Sequence, residues 1–236
     1  MTKLGIIGAM TVEVETLKGR MQNLKITEKA GMEFCEGILE GLPAVIVICG
    51  IGKVNAALCV QILCDCFGVT HIVNTGIAGS LCAELDIGDF VISQDVMYHD
   101  FNCGPKYPIG QIPSLPLLAF PADAALLAYG FAAAEAVYPG HTRVGRVASG
   151  DQFVCDKLQK QTIIQNTGAL CTEMEGAAIG HAAWRNGIPF VVVRAISDKA
   201  DDSAGMDINT FEALASQRSA SVTLALAKQL RESEEE

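Results

Sequence analysis

The stretch from Phe190 to Asp202 constrains the fold more than any other part of the chain. It reads Phe-Val-Val-Val-Arg-Ala-Ile-Ser-Asp-Lys-Ala-Asp-Asp, and its valines predict a strand buried on both faces, as in a parallel or mixed sheet. Burying the charges of Arg194 and Asp198 is costly unless they are paired or functional. Ligands bind beyond the carboxyl ends of strands in open α/β sheets, so Arg194, Ser197 and Asp198 mark a candidate site. An internal Arg194–Asp198 ion pair is the alternative, and the stretch alone supports both interpretations.

Length, composition and charge narrow the class of protein. The 236 residues are 50% hydrophobic and 19% charged, which predicts a single domain over residues 1–232 and a frayed acidic tail over residues 233–236. No apolar run approaches the roughly 20 residues that a membrane span needs, and we predict neither a signal peptide nor membrane binding. The net charge of −10 argues against nucleic-acid binding, which rests on Lys and Arg. Nine scattered cysteines favour reduced, buried thiols in a cytoplasmic protein.

Strands alternate with helices along the chain, which predicts a three-layer α/β/α sandwich around a central mixed β-sheet. Glu13 follows a buried strand, and Glu175 enters an alanine-rich helix. Each could be a carboxylate that only stabilises a helix N-terminus. Together with Arg194 and Asp198, however, they place charged groups at the carboxyl ends of separate strands, and this convergence favours a common site.

Two further segments bear on ligand binding. Phe153 and Val154 follow a polar turn, where an exposed apolar pair suggests a platform for a flat ligand. His99 and Asp100 are adjacent, but no second His or Cys has matching spacing, so we predict a structural histidine and no metal site. Residues 101–121 are rich in Pro and Gly and long for a loop, which indicates a functional segment or one used in assembly.

Six short motifs occur in an order that resembles one family. They are Gly-Ile-Ile-Gly-Ala-Met, Gly-Ile-Gly-Lys-Val, Asn-Thr-Gly-x-Ala-Gly, Ser-Gly-Asp-x-Phe, Glu-Met-Glu and Val-Val-Val-Arg-Ala-Ile-Ser-Asp. Each is weak alone, but the ordered set spans nearly the whole chain and resembles bacterial 5′-methylthioadenosine/S-adenosylhomocysteine nucleosidases of the nucleoside phosphorylase superfamily. The resemblance implies a nucleoside phosphorylase-like fold, a cytoplasmic homodimer active in nucleoside catabolism and methionine salvage, and no cofactor.

The resemblance also implies a role for each matching residue. Glu13 would activate the hydrolytic water, Asp198 would protonate adenine N7, and Glu175 would bind the ribose hydroxyls. Arg194 would orient the water and the ribose. The remaining substrate contacts carried over by motif are Met10, Ile51, Phe153, Val154, the Met174 backbone, Ser197 beside Asp198, and Tyr107 and Pro113 lent by the neighbouring subunit.

The chain departs from the family pattern at three places. Ile77 replaces the usual Ser, which removes a hydroxyl near the ribose, and Ile208 stands where an aromatic is often found, which widens the 5′ pocket. The loop after Asp100 is one residue shorter.

The predicted charges fit hydrolysis of an N-glycosidic bond, because carboxylates stabilise the positive charge that builds on the ribose. Protonation by Asp198 makes adenine a better leaving group, which requires that burial or a hydrogen bond hold a proton on this side chain. The rivals are a phosphate-dependent nucleoside phosphorylase, a nucleosidase that prefers 5′-deoxyadenosine or aminofutalosine, and a non-catalytic nucleoside-binding module. The sequence does not rank the adenosine substrates.

Overall fold

The structure is a computed structural model that describes residues 2–235, including every side chain in that range except those of Asn209 and Glu235. Within this range the strands form one ten-stranded mixed sheet. The strands are β1 (Leu4–Gly8), β2 (Gln22–Lys29), β3 (Met32–Leu39), β4 (Leu42–Ile48), β5 (His71–Ser80), β6 (Phe90–Tyr98), β7 (Phe120–Pro121), β8 (Thr142–Ser149), β9 (Cys171–Glu173) and β10 (Phe190–Asp198).

The order of the strands brings the carboxyl ends of β1, β5 and β10 together. The sheet runs β10-β6-β8-β9-β5-β1-β4-β3-β2, with β7 beside β6. Strand β1 lies parallel to both β4 and β5, and β10 lies parallel to β5. Because β10 also pairs antiparallel with β6, one half of the sheet closes into a ring. Every residue of β1 and β10 is buried, as the apolar runs predict.

Helices cover both faces of the sheet, which confirms the predicted α/β/α architecture. They are α1 (Thr11–Lys18), α2 (Lys53–Ile62), α3 (Ala124–Val137), α4 (Lys157–Thr167), α5 (Gly176–Asn186) and α6 (Ala204–Glu235), with a π-helical turn at Leu63–Phe67 after α2. Buried residues of α1, α3 and α6 form one hydrophobic core, while those of α2 and α5 form the core on the opposite face. Helix α4 packs on a smaller third cluster.

Helix α6 includes residues 233–235, and the Thr2 backbone and hydroxyl donate hydrogen bonds to the Glu234 carboxylate; residue 236 lies outside the described residues, and fraying of residues 233–236 stays a prediction. One sequence-based expectation needs correction. The cysteines are unpaired but not all buried, since Cys66, Cys103 and Cys155 are exposed. Among the described helices, none combines the length and apolar character needed to cross a membrane.

Candidate active site

A single pocket collects most of the residues that the sequence singled out. It lies at the carboxyl ends of β1, β5, β9 and β10, where the turns into α1, α2 and α5 also meet. Small residues on β5 keep the backbone close to the ligand space. The lining residues are Ala9, Met10, Ile51, Ile77, Ala78, Gly79, Phe153, Thr172, Glu173, Met174, Glu175, Ser197, Asp198 and Ile208.

Glu13 lies in the first turn of α1 and is not itself part of the pocket lining. Its carboxylate accepts backbone hydrogen bonds from the lining residues Ala9 at 2.7 Å, Met10 at 2.9 Å and Ile77 at 3.2 Å, so the turn after β1 and strand β5 both orient it. Burial raises the pKa of Glu13, although the charge of Arg194 and these three donors favour the ionised form. Glu13 is therefore a fixed, buried carboxyl group and not a solvent-facing helix carboxylate.

Arg194 pairs with Glu173 and not with Asp198. Its Nη2 donates to the carboxylate of Glu173 and to Asn74 Oδ1 at 2.5 Å, and it lies 4.0 Å from Glu175 Oε2. Arg194 Nε and Nη1 are buried and have no protein partner among the described residues. The sequence suggested an Arg194–Asp198 ion pair, but Arg194 pairs with Glu173 and Asp198 takes no part in this ion pair.

Glu173 is the buried acid whose importance the sequence did not reveal. It accepts hydrogen bonds from Ser149 Oγ and from the backbone of Glu175 and Gly176, as well as from Arg194. Burial alone would favour its neutral form, but the Arg194 guanidinium and these donors hold the pKa of Glu173 below its ordinary value. The Glu-Met-Glu motif contains both Glu173 and Glu175, but nothing in the motif shows which of them forms the ion pair with Arg194.

The pKa of Glu175 is raised, in contrast to that of Glu173. Its Oε1 accepts a hydrogen bond from the Gly52 backbone at 2.9 Å, at the N-terminus of α2. Burial and the negative charge of neighbouring Glu173 raise the pKa of Glu175 to about 8. The two acids of the motif therefore titrate in different directions, because one of them takes the guanidinium of Arg194.

Asp198 is the last residue of β10 and lines the pocket. Its Oδ2 accepts from Ser197 Oγ and its Oδ1 from the Ala200 backbone, each at 2.8 Å. Burial raises the pKa of Asp198, although both hydrogen bonds favour the ionised form. Ala200 adopts a left-handed conformation, with φ of +51°, which aims its N–H at the carboxylate. This environment suits an acid that must carry a proton.

Some of the predicted substrate contacts line the pocket, and others lie elsewhere. Met10, Ile51, Ile77 and Ile208 line the pocket, and Phe153, 45% exposed, forms part of its rim. Three other predicted contacts lie elsewhere: Val154 is buried in a small adjoining cleft, whereas Tyr107 and Pro113 are on the segment after β6 and line no part of this pocket within their own chain.

Comparisons with known proteins agree with this arrangement. The family model described as the phosphorylase superfamily matches residues 3–228. A 5′-methylthioadenosine/S-adenosylhomocysteine nucleosidase of Shewanella halifaxensis is 40% identical to this chain, over 97% of the chain and 100% of the relative. A nucleosidase of the same name from Geobacillus kaustophilus is 38% identical, over 98% of each.

Solved structures give the same result. The S-adenosylhomocysteine nucleosidase of Streptococcus pyogenes in complex with 5-methylthiotubericidin superposes with a TM-score of 0.93 at 32% identity, covering 97% of each chain. The nucleosidase of S. pneumoniae with the transition-state inhibitor MT-ImmA superposes with a TM-score of 0.91 at 35% identity, covering 97% of this chain and all of the other. Fold, pocket and full-length similarity lead to one assignment: this chain belongs to the 5′-methylthioadenosine/S-adenosylhomocysteine nucleosidase family of the phosphorylase superfamily.

Proposed function

We propose that this protein hydrolyses the N-glycosidic bond of 5′-methylthioadenosine and S-adenosylhomocysteine, releasing adenine and the 5-thioribose product. The observation that supports the proposal is one apolar pocket lined by Glu175 and Asp198, with Glu13 hydrogen-bonded to three residues of its lining. Arg194 lies 4.0 Å from Glu175. Adenine would lie between the Asp198 carboxyl group and Phe153, and the ribose would lie over Glu13 and Glu175.

Asp198 acts as the general acid in this mechanism. It delivers a proton to adenine N7, which neutralises the leaving group as the glycosidic bond breaks. Its raised pKa, caused by burial, keeps a larger fraction of the side chain protonated than an exposed aspartate would be. Ser197 and the Ala200 N–H hold the carboxyl group in place and receive it again as an anion after transfer.

Glu13 and Glu175 act on the ribose side. Positive charge develops on the ribose as the bond lengthens, and the buried Glu13 in its ionised form stabilises that charge strongly because little solvent screens it. Glu175, whose pKa of about 8 keeps it mainly protonated at neutral pH, binds the ribose hydroxyls through hydrogen bonds. Glu13 then accepts a proton from the attacking water, and the pKa raised by burial makes its ionised form a stronger base. The unpaired Nη1 of Arg194 is available to orient the water or a ribose oxygen.

The charges of the pocket favour water over phosphate as the nucleophile. Among the described residues, those that line the pocket include no Lys or Arg, and Arg194 is already engaged by Glu173. A phosphorylase needs several cationic or N–H donors for the phosphate oxygens. The ionised form of Glu13 would repel a phosphate in the same place.

Adenine release tests the proposal directly. Steady-state rates should be measured for 5′-methylthioadenosine and S-adenosylhomocysteine, with 5′-deoxyadenosine and aminofutalosine as the comparison panel, in the presence and absence of phosphate and of a chelator. We expect cleavage of the first two substrates that neither phosphate nor chelator changes. Strict dependence on phosphate would refute the hydrolytic reaction.

We infer in addition that the active form is a homodimer. Ile51 lines the pocket and is half exposed, and the exposed apolar side chains of Val54 and Leu58 lie close by on α2. A second subunit that covers this face would bring Tyr107 and Pro113 to the 5′ end of the pocket, as the family resemblance implies. Light scattering should give the mass of two chains, and Val54→Glu should yield monomers of low activity. A fully active, monodisperse wild-type monomer would contradict the inference.

Nine unpaired cysteines also fit a reducing compartment, and we propose a cytoplasmic location. There the enzyme would serve nucleoside catabolism and methionine salvage. Fractionation of the producing cell, with the protein followed by antibody, should recover it with cytoplasmic markers; recovery with periplasmic or secreted proteins would contradict the location.

A further inference from the structure

A second cluster of charged groups lies outside the pocket lining and joins three segments of the chain. Lys53 Nζ contacts Asp100 Oδ2 at 2.6 Å and Asp151 Oδ2 at 3.6 Å. The Lys53 backbone N–H donates to Asp151 Oδ1 at 2.8 Å, and the Asp151 backbone N–H donates to Asp100 Oδ2 at 2.9 Å. The three residues thus form a closed ring of hydrogen bonds, which we call the clamp.

Each member of the clamp adjoins a different part of the candidate active site. Lys53 is the first residue of α2, two residues after the pocket residue Ile51. Asp151 lies in the turn after β8, two residues before the rim residue Phe153. Asp100 follows β6 and leads into the segment that contains Tyr107. The clamp therefore connects two segments that line the pocket, one containing Ile51 and one containing Phe153, with the start of the segment 101–121.

The surrounding backbone gives the clamp little freedom. Gly52 has φ of +101°, and its N–H donates to Glu175 Oε1, so the N-terminus of α2 is held by Glu175 on one side and by Asp151 on the other. A side chain at Gly150 would overlap the His99 ring and come within 2.9 Å of Asp100 Cγ, which shows how closely the turn after β8 packs on the end of β6. A shift in any one clamp residue would be passed on to the others.

We propose that Lys53, Asp100 and Asp151 are positioning residues that set the separation of Ile51 and Phe153, and thereby the affinity of the pocket for its substrate. The inference rests on the proposed function, since it assigns the clamp a part in binding the adenosine substrate. The clamp residues touch the pocket only through Ile51, Gly52 and the turn before Phe153. Their loss should therefore weaken binding more than it slows the chemical step.

A second ion pair provides a matched control. Lys3 Nζ and Glu36 Oε1 are also 2.6 Å apart, and their side chains are 24% and 33% exposed, against 24% and 16% for Lys53 and Asp100. Lys3 precedes β1 and Glu36 lies in β3, and neither lines the pocket. Lys3→Met therefore removes a comparable ion pair without disturbing the two walls.

The experiment compares Lys53→Met, Asp151→Ala, the double variant and Lys53→Arg with Lys3→Met. KM and kcat for 5′-methylthioadenosine are measured, the Kd of adenine is determined by calorimetry, and melting temperature and mass in solution are recorded. We expect each single substitution to raise KM and the adenine Kd by about tenfold, with kcat changed less than about threefold, as for a mispositioned binding wall. In the double variant, KM and the adenine Kd should exceed those of either single variant by no more than about twofold, because each single substitution already disrupts the whole clamp. Lys53→Arg should recover most of the affinity, and Lys3→Met should match the wild type.

Other outcomes overturn the inference in distinguishable ways. Unchanged KM and Kd in Lys53→Met and Asp151→Ala would show that the clamp is a surface ion pair only, while wild-type activity would leave the proposed function intact. Additive losses in the double variant would show two independent contacts in place of one unit. If Lys53→Met fails to fold, Asp151→Ala carries the test, because it removes the half-exposed carboxylate that accepts from the Lys53 N–H and leaves the buried residues unchanged. Absence of both adenine binding and cleavage in the wild type would overturn the proposed function itself.

Discussion

Replacement of Asp198 by Asn tests the proposed general acid with little disturbance to the fold. In the wild type, Oδ1 accepts from the Ala200 N–H and Oδ2 accepts from Ser197 Oγ. An asparagine retains the first contact through its amide oxygen. It also retains the second, because the amide N–H₂ can donate to the Ser197 hydroxyl oxygen. The substitution therefore removes the acidic proton and almost nothing else.

The expected size of the two effects follows from these contacts. Both hydrogen bonds persist and the buried group becomes neutral, so the free energy of unfolding should change by no more than about 1 kcal/mol. If Asp198 were instead the partner of Arg194, the loss would be about 3–5 kcal/mol. Since Arg194 pairs with Glu173, we expect the small value. The kcat should fall by about 10²–10⁴-fold, as is typical of a lost general acid, while KM changes little.

The assay combines urea denaturation with steady-state kinetics on the same preparation. Asp201→Asn is the control, because Asp201 accepts from Ser203 N and Oγ in a similar turn and lines no part of the pocket. It should leave kcat unchanged. An Asp198→Asn variant with normal stability and near-normal kcat would remove Asp198 from the mechanism. A strongly destabilised variant with normal kcat per folded molecule would make the residue structural.

Three further predictions concern the buried charges. Arg194→Met should lower the free energy of unfolding by about 3–5 kcal/mol, because Glu173 loses its counter-ion. Urea denaturation should show a smaller decrease at pH 5 than at pH 8, because Glu173 is more easily protonated at pH 5, and equal decreases would contradict this reason. Burial and the charge of Glu173 raise the pKa of Glu175 to about 8, so between about pH 5 and pH 8 the folded protein holds a proton that the unfolded chain has released. The free energy of unfolding should therefore fall as the pH rises through this range. Glu175→Gln should reduce this slope by up to about 1.4 kcal/mol per pH unit, and an unchanged slope would refute the assignment. Gly76→Ala would place a methyl group against the Glu13 carboxylate and 2.7 Å from Arg194 Nη1, and should reduce kcat by at least about tenfold. In the control Gly19→Ala, the methyl group would lie 3.5 Å from the backbone oxygen of Glu15, an ordinary contact distance, and equal rates for the two variants would contradict the steric reason.

Much of the fold could be predicted from local pattern. The valines of β10 and the apolar run of β1 predicted strands buried on both faces, and every residue of both strands is buried. These predictions succeed because a continuous apolar run reflects burial that the neighbouring strands and helices of any such sheet provide.

The candidate site could be predicted as a set of residues but not as a set of contacts. Carboxyl ends of parallel strands share one edge, and this rule brought Glu13, Glu175, Arg194 and Asp198 into one region. It could not say which carboxylate receives the guanidinium. Glu173 and Asp198 are both acids that line the pocket, and only the fold, which brings the end of β9 to Arg194 of β10, makes Glu173 the partner of Arg194.

Residue types a few positions apart are enough to predict the alternation of strands and helices, the burial of β1 and β10, and the acids at the strand ends. They do not predict the pairing of Arg194 with Glu173, the opposite pKa shifts of Glu173 and Glu175, or the clamp of Lys53, Asp100 and Asp151. These features appear only in the folded chain, because ion pairing and desolvation depend on distances of a few ångströms between segments far apart in the chain. Those distances follow from how the strands are ordered in the sheet.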